Sequence, residues 1–414
     1  MELKTRRTLF YFFILIFVLV GAYLLIAAQG WVLDLNNLKI VKTGGLFLKY
    51  EPTDASVEVN GKIKDVSQGV ITSGAFISRL APGEYRIKLE KPGYLPWEKK
   101  LVVGSAVVTS ASQIRLWPEK WPLKEVATSS ISDFWLTGSG AILKLKDDSL
   151  HLDGYILRGR NVILSDSNSN FIITGDGKNY FLTDLENPKA ATNIADLLDP
   201  IIPQNYFIHP FNGNKILITT ADALYSLEPK RPKLEKLTDV KGIMNAALSS
   251  SEIFLEDAKG DLMIFNFLLQ TTTVYKLNLP ETARIEASPD GSLVFFFGND
   301  GALSTFDRSS KELASSTEKI SNLFISPDEK RMALIFKDGS VPLLALEDYY
   351  ADGNVRKGDK WNISSGNGNI GGLEWLGDDV NYGLILSGGK LFLTELDSRT
   401  PQNVYPISDD VKKF

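Results

Sequence analysis

Two histidines, His151 and His209, and three adjacent aspartate pairs, Asp147-Asp148, Asp378-Asp379 and Asp409-Asp410, are the residues here whose types could do acid–base or nucleophilic chemistry. A serine–histidine–acid relay needs one of those histidines beside a serine and a carboxylate. His209 precedes Pro210 at a turn, His151 lies in a strand among charged loops, and no Gly-x-Ser-x-Gly elbow exists. Both histidines therefore read as structural or exposed. Glycosidic hydrolysis needs two carboxyls at a set separation across a cleft. Neighbours on a strand face opposite ways and neighbours in a turn are solvated, so the aspartate pairs do not meet that need. Asp166-Ser167-Asn168-Ser169-Asn170 alternates like a calcium loop but lacks the later glycine and the distal glutamate, and reads as a β-turn. The glycine-rich stretch 366–372 does not lead from a strand into a helix, which argues against a phosphate cradle. Cysteine is absent, which excludes thiolate nucleophiles, disulfides and cysteine metal sites. No catalytic, cofactor-binding or metal residue is expected, and no cofactor.

The elements that hold these residues are therefore the informative part. With 414 residues, 44% hydrophobic and 23% charged, the chain has room for two or three ordinary globular domains. A net charge of −5 gives no basic excess, so nucleic acid is not an expected partner.

Leu9 and Ala28 bound 20 residues without a charge. At about 1.5 Å per residue such a helix spans about 30 Å, the hydrocarbon thickness of a bilayer. Lys4, Arg6 and Arg7 precede it and Asp34 is the first charge after it. Positive charge on one flank predicts a single-pass signal anchor over 9–28. Residues 1–8 would then lie in the cytoplasm and everything after Trp31 outside the cell membrane, with 29–44 as a connector. A cleaved signal peptide is the competing reading. Its apolar core runs to about 7–15 residues, shorter than this one, and Ile26-Ala27-Ala28 is a poor cleavage site.

From residue 45 the pattern turns to strands. Asn60-Gly61 is a strong hairpin signal, and Tyr85-Arg86-Ile87-Lys88-Leu89-Glu90 alternates as a half-buried strand does. Pro52-x-x-Ala55 before Val57-x-Val59, then Asn60-Gly61-Lys62, Leu80-x-Pro82-Gly83-x-Tyr85 and Lys91-x-Gly93-Tyr94 resemble the PEGA domain. The name-giving Pro-Glu-Gly-Ala reads Pro52-Thr53-Asp54-Ala55, and 61–76 lacks the usual Gly-x-Thr-Pro. The resemblance covers 45–103. It implies a small β-sandwich-like module of surface and envelope proteins, with no catalytic residue. Residues 45–104 are taken as this module and 105–122 as a linker, whose Trp117-Pro118 and Trp121-Pro122 make it semi-rigid.

Ala287-Ser288-Pro289-Asp290-Gly291 and Ile325-Ser326-Pro327-Asp328-Glu329 lie 38 residues apart, each before an apolar strand. Related turns fall near Thr137-Gly138, Ser165-Asp166, His209-Pro210, Ser249-Ser250 and Gly377-Asp378. A spacing of about 40 residues suits four-stranded propeller blades. Residues 123–414 are read as a β-propeller of about seven blades, six or eight being the alternatives. The stretch 114–126 is expected to complete the blade built by 380–407, and the insertion 346–369 to be a polar binding loop. The repeats resemble those of WD-repeat-type and TolB-like propellers, without the Trp-Asp ending; Phe306-Asp307 is the nearest case.

The expected fold is all-β: transmembrane helix, PEGA-like sandwich, propeller. The expected function is a membrane-anchored extracytoplasmic binding or scaffolding protein, not an enzyme, with an envelope protein or polymer held at a propeller face. The alternatives are an extracytoplasmic glycan hydrolase or lyase with carboxylates in the propeller channel, and a purely structural surface-layer protein.

Overall fold

The computed structural model describes residues 3–34, 39–64, 67–68, 74–123, 131–166, 169–316, 318–349, 355–364, 369–377 and 379–411. The chain divides into two compact units, Met1–Pro122 with Asn322–Phe414, and Leu123–Ser321.

The first unit opens with helix α1, Leu3–Ala28. Arg6 and Arg7 lie inside it, close to its start, whereas a crossing needs about 20 mostly apolar residues. Among the described residues no helix is long and apolar enough to cross a membrane. This corrects the expected anchor over Leu9 to Ala28, the transmembrane part of the fold class, and the cell-membrane location with a cytoplasmic N-terminus and extracytoplasmic domains.

Ten strands follow: β1 Trp31–Asp34, β2 Lys39–Lys42, β3 Gly44–Glu51, β4 Ser56–Val59, β5 Lys62–Lys64, β6 Ser67–Gln68, β7 Ala75–Leu80, β8 Gly83–Glu90, β9 Trp97–Val103 and β10 Val108–Arg115. β1 and β2 form a hairpin. The rest make two four-stranded sheets, β10-β3-β7-β6 and β5-β4-β8-β9. Their inward side chains, Leu46, Leu48, Val57, Ile77, Ile87, Leu89 and Trp97 among them, share one core. The turns read from sequence close as their chemistry requires: Asn60, with φ 49°, and Gly61 join β4 to β5. β10 lies in the range read as linker. It pairs in parallel with β3 and bulges between Ala111 and Ile114.

Beyond residue 130 the described residues hold seven consecutive four-stranded antiparallel sheets, here blades I–VII, at 131–157, 161–193, 205–239, 243–275, 282–315, 320–362 and 370–408. Every blade takes its four strands in chain order. Blade VII therefore completes itself, with Val404–Ser408 as its fourth strand, and takes no strand from 114–123, the described part of 114–126. In blades II, IV, V and VI the second strand is the most buried. Glu252–Asp257 and Arg331–Phe336 are each buried at their first five positions, while the fourth strand Thr271–Tyr275 is mostly exposed. A strand covered on both faces reads as a continuous apolar run, which is why these segments lack alternation. Neighbouring blades share cores: Phe254 and Ile264 of blade IV pack with Ile285, Phe296 and Phe306 of blade V.

The repeated turns all join first to second strands. In blade V the Ser288 hydroxyl donates to Asp290 Oδ1 at 2.5 Å and accepts from the Leu293 amide at 2.9 Å. Blade VI repeats this with Ser326, Asp328 and the Arg331 amide, at 2.6 and 3.0 Å. Burial pushes the Asp290 carboxyl up, but donors from Ser288 and Ser292 outweigh it and leave it below its usual value. The turn's next residue is left-handed in both blades: Gly291 at φ 73°, Glu329 at φ 60°. Only glycine adopts that region without a Cβ penalty.

Within the first unit, β9 joins blade VII through buried charge. Lys99, 0% exposed, places Nζ 2.8 Å from Glu395 and 2.6 Å from Asp397, and donates to the Arg399 carbonyl at 2.9 Å. Arg399 pairs with Asp397 at 2.7 Å, and the Trp97 indole donates to Glu395 at 2.5 Å. Burial pushes the Glu395 carboxyl up against the pull of Lys99. Trp117 stacks edge-on to Tyr382, and Trp121 donates to the Pro406 carbonyl.

Candidate functional site

The chemistry-bearing residues singled out in the sequence are spread over separate turns. His151 sits in the third strand of blade I with Nε2 2.9 Å from the Ser149 hydroxyl. Asp147 accepts from the same serine's amide and hydroxyl, which hold its carboxyl below the usual range. Asp148 pairs with Lys144, and Asp409 with Lys390. Asp378, Ser167 and Asn168, and much of the 346–372 region (350–354 and 365–368) lie outside the described residues. Among the described residues no group of three His, Asp or Glu could hold a metal. Two carboxyls in first strands are raised by burial, Glu286 against the pull of Arg284, and Glu374; no second carboxylate contributes to either shift.

One cavity in the first unit, of about 390 Å³, lies between β3, β10 and the start of the second strand of blade VII, Asp379–Ser387. Lys49 and Arg115 face Glu51 and Asp379 there, so the signs balance. Burial raises the Asp379 carboxyl, opposed by the Asn381 amide and then by Arg115 and Arg331.

In the second unit, His209 does gather a site. It ends the first strand of blade III, Asn205–His209. Its ring lies 4.7 Å from Phe267 and 6.2 Å from Phe211. Phe267 begins the turn between the third and fourth strands of blade IV. Asn266 Oδ1 accepts from the amides of Leu268 and Leu269 at 3.0 and 2.9 Å, and the Gln270 side chain donates to the Phe267 carbonyl at 2.7 Å. Gln270 turns left-handed at φ 53°. The turn is thus fixed by its own side chains, an Asx arrangement. It presents Leu268 and Leu269, 68% and 70% exposed, and Phe211, the other ring beside His209, is 51% exposed. Burial, then Lys215, holds the His209 imidazole below its usual range.

A second feature of this unit lies at the other end of the same blade IV strands, a cavity of about 310 Å³ lined by blade IV, the segment 279–281 that leaves it and Thr282 at the start of blade V. Asn245, Glu256 and Thr282 meet there from three strands. Asn245 Nδ2 donates to Glu256 Oε2 at 2.8 Å, the Thr282 hydroxyl donates to the same oxygen, and Asn245 also reaches the Thr282 hydroxyl at 3.0 Å. Bulges at the Ile243/Asn245 and Thr282/Arg284 steps turn these strands at the rim. Gly260, at φ 72°, lets the blade IV turn close on the incoming chain: a Cβ there would sit 2.3 Å from the Leu279 carbonyl oxygen. Neither the leucine turn nor this cavity was found from the sequence. Leu268-Leu269 between Asn266 and Gln270 was the available signal for the first.

Seven successive antiparallel meanders define a chain of the β-propeller type. No protein-family model matches it and no curated protein matches it, so the PEGA resemblance gains no support there. Among solved structures it is similar to Kluyveromyces lactis Hsv2p (11% identity over 66% of this chain and 99% of that one, TM-score 0.45). It is also similar to the Cps50 (Swd1) β-propeller domain of Myceliophteria thermophila (11%, 69% and 99%, TM-score 0.42). At such identities and scores neither bears on function, and the fold class rests on this chain's own strand order.

Proposed function

We propose that this is a non-catalytic binding or scaffolding protein that holds a protein partner at the face formed by the turns of blades III and IV. The observation that supports it is the fixed, exposed pair Leu268 and Leu269, on the turn whose first residue, Phe267, packs against the His209 ring. Turn tips are ordinarily polar, and a large apolar side chain left in water forgoes about 1.5–3 kcal/mol of burial. Because the turn is already held by Asn266 and Gln270, docking a partner orders little further chain. The test is crosslinking and pull-down with the full chain as bait, comparing the wild type with Leu268→Ser/Leu269→Ser. The variant is expected to lose the specific partner while its unfolding midpoint stays put, since exposed substitutions change stability by about 0.5 kcal/mol or less. Equal recovery of the same partner by both proteins would refute the proposal.

A further inference from the structure

The cavity at the other end of blade IV has an electrostatic character that the leucine turn does not share. Glu256 is 2% exposed, yet it lines the cavity. Both of its hydrogen bonds fall on Oε2, from the neutral groups of Asn245 and Thr282. Among the described residues nothing donates to Oε1, and no ion pair reaches the carboxylate. Asp257 and Glu281 also line the cavity, and no lysine or arginine does. A buried carboxylate served only by neutral donors is costly, and the missing element is a cation. Asp257 Oδ1 is already taken by the amides of Lys259 and Asp261, and no three acidic groups converge as metal ligands do. The remaining walls are apolar: Met244, Leu279 and Pro280. A volume near 310 Å³ lies at the small end of the range for ligand sites, about 300–1,000 Å³.

We infer that this cavity takes the side chain of a lysine or arginine presented by a protein partner. The apolar stem lies along Met244, Leu279 and Pro280, and the cationic head donates to Glu256 Oε1 with Asp257 and Glu281 around it. A long side chain with an apolar stem and a charged tip fits a pocket with apolar walls and an anionic floor. This site is separate from the leucine turn, so either can fail without the other.

The test uses the full chain and three small probes, Nα-acetyl-lysinamide, Nα-acetyl-argininamide and the uncharged Nα-acetyl-norleucinamide, followed by NMR. The two cationic probes are expected to bind and to shift the Asn245 side-chain amide, with norleucinamide silent. Glu256→Gln keeps the shape and an oxygen for Thr282, and is expected to weaken the cationic probes about tenfold or more. Leu268→Ser/Leu269→Ser is expected to leave their binding unchanged. No binding of either cationic probe, equal binding of norleucinamide, or unchanged affinity in Glu256→Gln would overturn the inference. Tighter binding of free cadaverine than of either amide would overturn the assignment to a protein side chain.

Discussion

Replacing Lys99 by methionine tests how β9 is held to blade VII. Two cations, Lys99 and Arg399, stand against two carboxylates, Glu395 and Asp397, all close-paired out of water. Methionine keeps the length and flexibility of the stem but leaves one carboxylate in excess. Asp397 retains Arg399 at 2.7 Å, so the loss falls on Glu395, which keeps Trp97 at 2.5 Å and Asn403 at 2.6 Å as neutral donors. Removing one partner of a buried pair costs about 3–5 kcal/mol, and the remaining donors place Lys99→Met near the lower end, about 3 kcal/mol at pH 7.5. The pH dependence has a definite sign. The Glu395 carboxyl is raised by burial, and Lys99 is the first group to oppose that rise. Without Lys99 it rises further. Stability tied to a raised carboxyl is fully present below the unfolded value, about 4.3, and is lost as pH climbs through the folded one. The deficit of Lys99→Met should therefore be small near pH 4.5 and full at pH 7.5. Guanidinium unfolding at both pH values measures it, with amide exchange of β9 reporting a local loss. Lys99→Met/Glu395→Gln should recover about half of the deficit at pH 7.5. A deficit under about 1 kcal/mol at pH 7.5, or one that does not grow between the two pH values, would refute the account.

Three further outcomes are expected. Trp97→Phe removes one of the donors to Glu395 and should cost about 1–3 kcal/mol, read from the same unfolding curves. Glu329→Gly relieves a left-handed backbone at the position where blade V already has glycine, and should raise the thermal midpoint by the equivalent of about 1 kcal/mol. The His209 imidazole should titrate below its usual value of about 6.5 by NMR. Because that value is lowered in the folded state, the linked stability is present above pH 6.5 and drains away as pH falls through the folded value. Resonances of Phe211 and Phe267 should broaden on acidification, and His209→Phe should abolish that response.

The blades were legible in the sequence because their markers are local. Ser288-Pro289-Asp290 and Ser326-Pro327-Asp328 close their turns with bonds among five or six consecutive residues, so the motif and the structure coincide. β10 was not legible. Val108–Arg115 has only two buried positions, and its pairing with β3 joins strands some 60 residues apart. Nor was the Glu256 cavity, since Asn245, Glu256 and Thr282 belong to three strands and none is unusual alone. The expected use of 114–126 in the last blade came from a general habit of ring closure, whereas Val404–Ser408 already fills that place. The charged bond between β9 and blade VII left no trace in either segment, because Lys99 sits in a run, Glu98-Lys99-Lys100, that reads as solvated surface.

That bond also sets an order of events in time. Trp97 and its partner Glu395 are 298 residues apart, so on the ribosome β9 emerges roughly 15–60 s before the carboxylate it needs. Through that interval Lys99 has neither of its carboxylates, and the small sandwich must keep an edge open while every blade is made. It is begun before the seven blades and finished only with the last of them, and a ribosome that stops short of residue 395 releases it with a cation and no counter-ion.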